Sequence, residues 1–434
     1  MKKHGDGAGV TRLVVAAASV AALTLALGGC TAGDGSGSAA DEFTILSGQT
    51  ESQPSHQALL LAIDKFEEAT GVKVKLVTTA QDQIQTQVES AVLAGQEPDL
   101  VNINPVDKVR GWVGDGAAIA VNDYLAEWPE VASEINEGAL RQWTVGDDTI
   151  GFPYESFQWP LWFNMDLLQS VGITEAPTTM SEFADAVATL HAANILPFAT
   201  GGSDWTGQDL VQRFIQLYVP EDEYTSVFTD GQYCSNSGAM AALDQLVALR
   251  DAGMFAPNAQ GLTADDMNTA FYTGQAAMML AGSWAFANTP AELQPNVAFG
   301  GLPVPNGGAV SQPAFAVGYT SSGYVVTPNG AKKADLVREF MKIMYSPEIV
   351  QAFIEYGSYI PAVSTVPAFP ANTNPMLQAS TEAVAVTDRV LPTDPWVPTP
   401  VVSTFPQGSS VAFTDGKSAQ DVCQAIEAVY AAAQ

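Results

Sequence analysis

The most informative chemistry in this 434-residue chain comes from aromatic residues that lie beside glycine and polar residues in predicted loops. A pyranose ring has an apolar C–H face that packs on an aromatic plane, and its hydroxyl groups bond to carboxylates and amides. The pattern therefore predicts a sugar-binding site, with burial in a hydrophobic core as the alternative for any single tryptophan. The aromatic and acidic candidates in these loops are Glu155, Trp159, Asp204, Trp205, Trp284, Tyr359 and Trp396.

Signatures of catalysis are missing from the sequence. Beyond residue 40 the only histidines are His56 and His191, and no H-E-x-x-H, Cys/His cluster or G-x-S-x-G segment occurs. We therefore expect no catalytic residue, no metal site and no cofactor. A carboxylate pair suited to glycoside hydrolysis stays open as an alternative, because 47 acidic residues offer many pairings.

The elements that must position these residues alternate between strand and helix after residue 41. Strands are predicted at Phe43–Leu46, Val72–Thr78 and Asp99–Ile103, with amphipathic helices between them. Successive β-α units imply a parallel sheet covered by helices, and ligands bind at the carboxyl ends of such strands. This reasoning adds Glu51 and Asn104 to the candidate site.

A second set of elements follows residue 151. Capping boxes that begin at Thr263 and Ser418 each predict the start of a helix, and residues 276–280 predict a strand. The proline-rich stretch from Pro361 to Pro406 is expected to be extended and packed, with few helices.

The N-terminus has the pattern of an export signal. Lys2, Lys3 and Arg12 precede an apolar run at 13–27, which is too short to span a bilayer comfortably. The Leu-Gly-Gly-Cys sequence that ends at Cys30 resembles the lipobox of bacterial lipoproteins. We expect a signal peptide at 1–29, lipid attachment at Cys30 and a flexible tether at 30–40, with an ordinary signal peptide as the alternative.

Charge limits the partners that the protein can have. Its 17 Lys and Arg residues against 47 Asp and Glu residues give a formal net charge of -30. A basic footprint for nucleic acid is therefore missing, and so is an electrostatic attraction to anionic lipid. The remaining cysteines, Cys234 and Cys423, are a possible disulfide outside the cytoplasm, and two separate buried thiols are the alternative.

The order of short segments resembles a known family. Phe271–Met278 followed by Gly282–Trp284 is similar to its "F-x-x-G-x-A-A-M … G-x-W" pattern, and Met180 stands where tryptophan is usual. On these segments the chain resembles the extracellular solute-binding proteins of bacterial ABC importers, in particular the carbohydrate-binding group related to maltose-binding protein. The resemblance covers essentially all of the chain after the tether. The other matching segments are 150–154, 161–168, 172–183, 334–348 and 359–362.

The resemblance implies an α/β, periplasmic-binding-protein-like fold with a ligand cleft between two lobes that hinge segments join. Lobe 1 would contain residues 41–151 and 319–355, and lobe 2 residues 152–318 and 356–434. Trp284 would stack on the sugar, and the loop residues named above would supply further contacts. The chain would be a monomeric, lipid-anchored, extracytoplasmic protein that delivers its ligand to membrane permease subunits.

Those loops carry no arginine or lysine, so a phosphorylated ligand is not favoured. We expect a neutral mono- or oligosaccharide, with a cationic amino sugar as a less favoured ligand. A secreted carbohydrate-active enzyme, an adhesion lipoprotein and a binding protein for a non-sugar solute remain the alternative functions.

Overall fold

The computed structural model describes residues 42–365, 368–385 and 387–433. The predicted signal peptide at 1–29, the predicted lipid attachment at Cys30 and the predicted tether at 30–40 lie outside the described residues.

The described strands form two larger sheets and one small hairpin. The strands are β1 (Glu42–Ser47), β2 (Lys73–Thr78), β3 (Leu100–Ile103), β4 (Thr144–Val145), β5 (Asp148–Thr149), β6 (Phe152–Trp159), β7 (Leu161–Asn164), β8 (Leu196–Ala199), β9 (Ala276–Leu280), β10 (Val297–Gly300), β11 (Ala314–Val326), β12 (Ile360–Pro361) and β13 (Asp388–Val390).

Helices cover both larger sheets. They are α1 (His56–Thr70), α2 (Ile84–Ala94), α3 (Asn122–Glu127), α4 (Pro129–Ala132), α5 (Glu137–Gln142), α6 (Met165–Ser170), α7 (Met180–Ala192), α8 (Trp205–Gln216), α9 (Ser237–Asp251), α10 (Ala264–Tyr272), α11 (Pro328–Ala331), α12 (Ala334–Met344), α13 (Pro347–Gly357), α14 (Pro375–Val384), α15 (Thr399–Val402), α16 (Phe405–Ser409) and α17 (Ala419–Ala432).

The large sheet has the order β12-β6-β11-β3-β1-β2, and β13 also pairs with β11. Strand β1 is parallel to β2 and β3, whereas β11 is antiparallel to β3 and β6. The small sheet has the order β10-β7-β9-β8. The parallel pairing of β1 with β2 and β3 confirms the predicted parallel sheet, with α1 and α2 between its strands. The third β-α unit is not formed as predicted, because a 3-10 turn at Val106–Val109 follows β3.

Alternation along β1 shows why the large sheet is covered on both faces. Phe43 and Ile45 point into one buried cluster, and Leu46 points into another on the opposite face. Successive side chains of a strand point to opposite faces, so apolar residues at adjacent positions require apolar partners on both sides. Helix α1 covers the first face, and Ile84 from α2 covers the second.

The chain passes from the large sheet to the small one at Pro160. Strand β6 pairs with β11 in the large sheet, and β7 directly after Pro160 pairs with β9 and β10 in the small sheet. Residues 152–159 and 360–361, which the sequence analysis assigns to lobe 2, therefore hydrogen-bond within the large sheet. Their pairing partners are distant in sequence, so local patterns do not reveal this membership.

Local signals in the second half of the chain are confirmed. Strand β9 spans the predicted residues 276–280, and side chains of Thr263 and Ser418 close capping boxes on α10 and α17. The expectation for Pro361–Pro406 needs a correction, because α14 is ten residues long. Pro375 occupies its first turn, where proline is tolerated because the missing N–H has no intrahelical partner.

Candidate functional site

Five aromatic side chains meet at the end of β6, and we call them the aromatic cluster: Phe157, Trp159, Trp205, Trp284 and Tyr359. The Trp284 ring centroid lies 4.9 Å from that of Phe157, 5.1 Å from that of Trp159 and 5.7 Å from that of Trp205. The Phe157 centroid lies 5.2 Å from that of Tyr359. The fold thus brings together four aromatic residues that the sequence analysis singles out, and adds Phe157.

The members of the aromatic cluster come from several parts of the fold. Strand β6 supplies Phe157 and Trp159, and α8 begins at Trp205. Trp284 lies in a 3-10 turn at Ser283–Asn288. Its indole folds back over Gly282, so that a Cβ atom at that position would collide with the ring. The glycine of the G-x-W segment therefore permits the orientation of Trp284.

The aromatic cluster extends from the core to solvent. Phe157 is only 4% exposed and Trp205 is 45% exposed, while Trp159 and Trp284 are half-buried. The Trp159 indole N–H is buried and has no hydrogen-bond partner among the described residues. Such a gradient offers a ligand both apolar ring faces and a free donor.

Five charged side chains lie beside the aromatic cluster, and we call them the charged cluster: Asp107, Arg110, Asp209, Arg213 and Asp394. Arg110 Nε lies 2.8 Å from Asp107 Oδ1, and Arg213 Nη2 lies 2.6 Å from Asp209 Oδ1 and 3.9 Å from Asp394 Oδ2. Three carboxylates therefore share two guanidinium groups.

Arg213 connects the two clusters. Its Cζ atom lies 5.9 Å from the centroid of the Trp159 ring, a distance compatible with a cation–π contact. A second connection joins the elements around the charged cluster, because the Thr399 hydroxyl donates to the Asp107 carbonyl at 2.9 Å. The aromatic and charged clusters are thus neighbours that meet at Trp159 and Arg213.

Burial dominates the electrostatics of the charged cluster. It raises the pKa of Asp107 to about 6 and that of Asp209 to about 6. The neighbouring arginines lower both pKa values, and the negative charge of Asp394 raises them. The cluster therefore holds its carboxylates less acidic than they would be in water.

Several buried polar atoms in and beside these clusters have no hydrogen-bond partner among the described residues. Buried polar groups in proteins are nearly always hydrogen-bonded, so a set of orphaned donors and acceptors around one surface suits a polar ligand. Within the described residues these atoms include Gln49 Oε1, Asp107 Oδ2, Arg110 Nη2, Trp159 Nε1, Gln212 Nε2, Arg213 Nε and Thr393 Oγ1. A molecule whose hydroxyl groups both donate and accept would match this mixture.

Glu155 is buried in β6 and bonds to a residue that follows β1. Gln49 Nε2 donates to its Oε1 at 2.5 Å. Burial raises the pKa of Glu155 to about 7, and the bond from Gln49 opposes that rise. Burial raises the pKa of Tyr359, and the nearby charge of Glu155 raises it further. Glu155 therefore lies beside the aromatic cluster, near the carboxyl end of β1.

Asp204, a predicted ligand contact, bonds within the protein through both carboxylate oxygens. Oδ1 accepts from the Thr206 amide at 3.0 Å and from the Thr206 hydroxyl at 2.7 Å. Oδ2 accepts from the Ala264 amide at 2.6 Å. The residue caps α8 and ties its beginning to the beginning of α10. The cap fixes the beginning of α8, where Trp205 lies, and the predicted ligand contact of Asp204 stays a prediction.

The other predicted residues are less central. Glu51 is exposed, and Asn104 is half-buried in a cis peptide bond with Pro105. The Asn104 carbonyl accepts from Gln81 Nε2 at 2.7 Å. The Trp396 ring packs on Tyr224, with 5.1 Å between centroids. It lies against the hydrophobic core around the small sheet and is not part of the aromatic cluster.

Sequence reasoning missed the charged cluster. Asp209, Gln212, Arg213 and Gln216 form a polar stripe on a helix whose other residues are mostly buried. That stripe was the available signal, because polar side chains on a buried helix face need partners. The partner residues Asp107 and Asp394 are too distant in sequence for spacing to indicate them.

Cys234 and Cys423 form a disulfide in the structure. It joins the segment before α9 to α17 across a sequence separation of 189 residues. Of the two open alternatives from sequence, the structure has the bonded form.

Across residues 42–365, 368–385 and 387–433, no group of three or more His, Cys, Asp or Glu side chains is arranged to hold a metal. In the same residues, none of the helices combines the length and apolar character needed to cross a bilayer.

A family model described as bacterial extracellular solute-binding protein matches residues 51–351. A "probable secreted solute-binding lipoprotein from Streptomyces coelicolor" is 32% identical, with a TM-score of 0.78 over 90% of this chain and 98% of that one. A structure described as a chitin oligosaccharide binding protein is 25% identical, with a TM-score of 0.79 over the same shares of the two chains. These matches confirm the expected α/β, two-lobed fold class.

A curated relative is an uncharacterized ABC transporter extracellular-binding protein of Pyrococcus horikoshii. It is 23% identical over 242 residues, which are 55% of this chain and 52% of the relative. The matched region thus spans about half the length of that relative.

Proposed function

The chain belongs to the family of bacterial extracellular solute-binding proteins, and on that premise we propose that it binds a sugar outside the cytoplasm and delivers it to the permease of an ABC importer. The observation that carries the proposal is the junction of the aromatic and charged clusters at Trp159 and Arg213. Ring faces for C–H stacking lie next to buried donors and acceptors that have no partner among the described residues and that would suit hydroxyl groups. The similar chitin oligosaccharide binding protein supports this class of ligand, and the similar secreted solute-binding lipoprotein supports a location outside the cytoplasm.

The two lobes of the proposal follow the two larger sheets. Lobe 1 is the large sheet with its helices, including β6 and β12, and lobe 2 is the small sheet with the helices around it. Asp107 and Arg110 would then belong to lobe 1, and Asp209, Arg213 and Asp394 to lobe 2. A ligand that contacts both lobes stabilises the closed state by its differential affinity, and the membrane subunits would respond to closure.

A neutral sugar fits the charge of the site best. Arg110 and Arg213 are paired with carboxylates, and the charged cluster has three acids against two bases. A phosphate group would add negative charge to a cluster that already has an excess of it. A cationic amino sugar is the runner-up.

The proposed location is the outer side of the cell membrane, where a lipid on Cys30 would hold the protein. The lipobox at Cys30 supports lipid attachment to the cell membrane, with the protein acting as a monomer and without chemical turnover. Membrane fractionation of the wild type and of Cys30→Ser tests the anchor. Release of the variant into the soluble extracytoplasmic fraction is the expected result, and unchanged membrane retention would contradict it.

A ligand screen tests the central proposal. We expect one or more neutral sugars to raise the melting temperature of the purified protein, because a ligand that binds the folded state stabilises it. Sugar phosphates, amino sugars and peptides complete the panel. A shift with peptides or sugar phosphates alone would contradict the sugar assignment, and formation of a hydrolysis product would favour an enzyme.

Trp284→Ala supplies the matched variant. If Trp284 stacks on the sugar, its loss should weaken binding by about 1–3 kcal/mol, in the range of aromatic platforms that stack on other rings. Tyr356→Ala is the control, because Tyr356 is an exposed aromatic residue outside the aromatic cluster. Equal affinity in both variants by calorimetry would remove Trp284 from the site.

A further inference from the structure

An open groove of about 450 Å³ lies beside the Cys234–Cys423 disulfide. The loop at residues 230–235 forms one wall, and the end of α17 forms the other. The loop contributes Asp230 and Cys234, and the helix contributes Glu427 and Tyr430. We call this feature the cysteine groove. None of its described lining residues belongs to the aromatic or the charged cluster, so the proposed sugar site does not account for it.

The two sulfur atoms of the disulfide differ in their access to solvent. Cys423 is 0% exposed inside the hydrophobic core around the small sheet, whereas Cys234 is half-buried and lines the groove. A thiolate exchanges with a disulfide by attacking one of its sulfurs, and the rate depends on which sulfur it can reach. The groove therefore leads an external thiol to Cys234, and the core shields Cys423.

The buried sulfur has a hydrogen-bond acceptor next to it. Cys423 Sγ lies 3.3 Å from the carbonyl oxygen of Gln420, one turn earlier in α17. A thiol is a weak donor, and the S–H of Cys423 can bond to this carbonyl once the disulfide has opened. Cys423 can therefore become a free thiol inside the core without a shift of the helix.

Contacts other than the disulfide hold the loop against α17. Glu427 Oε1 accepts from the Cys234 amide at 2.7 Å, and the Tyr430 hydroxyl donates to the Phe228 carbonyl at 2.6 Å. The Tyr430 ring lies so close to Gly231, whose φ is +72°, that a Cβ atom there would collide with it. The two sulfurs therefore stay neighbours when their bond is broken, which favours its re-formation.

The charge of the cysteine groove limits the thiols that suit it. Asp230 is exposed and Glu427 is half-buried, and none of the described lining residues is basic. Carboxylates repel an anionic thiol and attract a cationic one. The volume of about 450 Å³ lies within the range of sites for small molecules. A small thiol without negative charge is therefore the partner that fits this groove.

We propose that the Cys234–Cys423 disulfide is a reversible redox site of the folded protein, which exchanges with a small neutral or cationic thiol through the cysteine groove. The external thiolate attacks Cys234 Sγ and forms a mixed disulfide with it. The bond to Cys423 breaks, and Cys423 leaves as a thiolate that takes a proton from water.

The mixed disulfide has two fates. The Cys423 thiolate can attack Cys234 again, which expels the external thiol and restores the original bond. Alternatively, a second external thiolate attacks the external sulfur and releases Cys234 as a thiolate, which then takes a proton. In the second case two external thiols are oxidised to their disulfide, and the two cysteines are reduced to thiols.

Mapping of the mixed disulfide tests which sulfur is attacked. The oxidised, folded protein is mixed with excess cysteamine, quenched with acid after increasing times and analysed by peptide mass spectrometry. We expect an adduct at Cys234 and a free thiol at Cys423, formed at a rate that is proportional to the cysteamine concentration and unchanged in dilute urea. An adduct at Cys423, or a rate that rises with urea as unfolding does, would overturn the proposal.

Three thiols of different charge test the role of the groove. Cysteamine, 2-mercaptoethanol and 3-mercaptopropionate carry a positive, zero and negative charge outside the thiol. Each rate is divided by the rate of the same thiol with 2-hydroxyethyl disulfide, which removes differences in intrinsic reactivity. At low ionic strength the normalised rate of cysteamine should exceed that of 3-mercaptopropionate at least about threefold, and added salt should narrow the difference.

The double variant Asp230→Asn, Glu427→Gln should bring these rates together, because the amides keep the size and the acceptor oxygens but remove the charge. Asp415→Asn is the matched control, since Asp415 is exposed and does not line the groove. It should keep the wild-type ratio. Equal normalised rates in the wild type, or an unchanged ratio in the double variant, would overturn entry of the thiol through the groove. Circular dichroism confirms that each variant is folded.

Discussion

Single residues of the candidate site combine burial with incomplete hydrogen bonding. Asp107 is 1% exposed and Arg213 is 2% exposed, yet each retains one polar atom without a partner. Removing a charged group from water costs several kcal/mol unless the group is paired. A buried donor or acceptor that makes no hydrogen bond adds to that cost. The arrangement is consistent with residues selected for ligand contact at some expense in stability.

Glu155 gives a prediction on pH. Its folded pKa of about 7 lies above its ordinary value of 4.5, so the folded state binds the proton more tightly than the unfolded chain does. Stability is therefore highest at low pH within this window, and the free energy of unfolding falls as pH rises through the folded pKa. The pKa values of Asp107 and Asp209 are also raised, but only to about 6. Above pH 6, the change in the free energy of unfolding therefore comes mainly from Glu155.

In the wild type, the free energy of unfolding should fall between pH 6 and pH 8. In Glu155→Gln we expect this fall to be smaller by about 1 kcal/mol, since one pKa unit corresponds to about 1.4 kcal/mol. Urea unfolding at the two pH values measures it. The amide can still accept the hydrogen bond from Gln49. Glu51→Gln, at an exposed position, is the control. If the unfolding free energy of Glu155→Gln depends on pH as that of the wild type does, Glu155 is ionised throughout the interval.

At the scale of elements, α8 connects the two chemistries of the site. It begins at Trp205 in the aromatic cluster and carries Asp209 and Arg213 of the charged cluster one to two turns later. Side chains four residues apart share a helix face, so one helix can present both arms of the ion pair to the same surface. The position of α8 therefore determines the geometry of both clusters.

The cap of α8 gives the prediction at this scale. Asp204→Ala removes acceptors from the Thr206 and Ala264 amides and should destabilise the protein by about 1–2 kcal/mol, the upper range for N-cap residues. It should also weaken sugar binding, because Trp205 is no longer held against Trp284. Thermal unfolding and calorimetric titration measure the two effects.

Thr179→Ala is the matched control for Asp204→Ala. Thr179 closes the capping box on α7, which carries no member of either cluster. It should lower the melting temperature by a similar amount and leave the sugar affinity unchanged. If Asp204→Ala lowers stability without weakening binding, Asp204 is only a helix cap.

For the molecule as a whole, the Cys234–Cys423 disulfide ties α17 to the segment before α9. Cys423 is fully buried in the hydrophobic core around the small sheet. The two cysteines are 189 residues apart in the sequence, so the bond closes a long loop. A cross-link across so long a loop restricts the unfolded chain strongly. The C-terminal helix is thereby held to the small-sheet half of the protein.

The double variant Cys234→Ser, Cys423→Ser should lose about 2–5 kcal/mol of unfolding free energy, the range for native disulfides. Thermal unfolding with and without reductant measures it. Reductant should lower the melting temperature of the wild type and leave that of the double variant unchanged. Equal melting temperatures of the two proteins would contradict a stabilising bond.

Individual strands and helix starts could be predicted from the sequence, because the interactions that determine them lie within a few residues. Strand β9 and the capping boxes of α10 and α17 follow from neighbours that lie within one turn or one strand. The loop positions predicted for Trp159 and Trp205 are wrong, because Trp159 ends β6 and Trp205 begins α8. Both nevertheless meet Trp284 in one cluster. The resemblance in short segments likewise anticipated the family.

Tertiary structure alone decided which distant residues share a surface. The charged cluster joins Asp107 to Asp394, and β6 enters the large sheet by pairing with β11. It also makes Asp204 a cap that joins α8 to α10, because the Ala264 amide lies beside it. Periodicity and capping describe the chain along its length, whereas a binding site depends on sheet order and helix packing, which bring residues together across hundreds of positions.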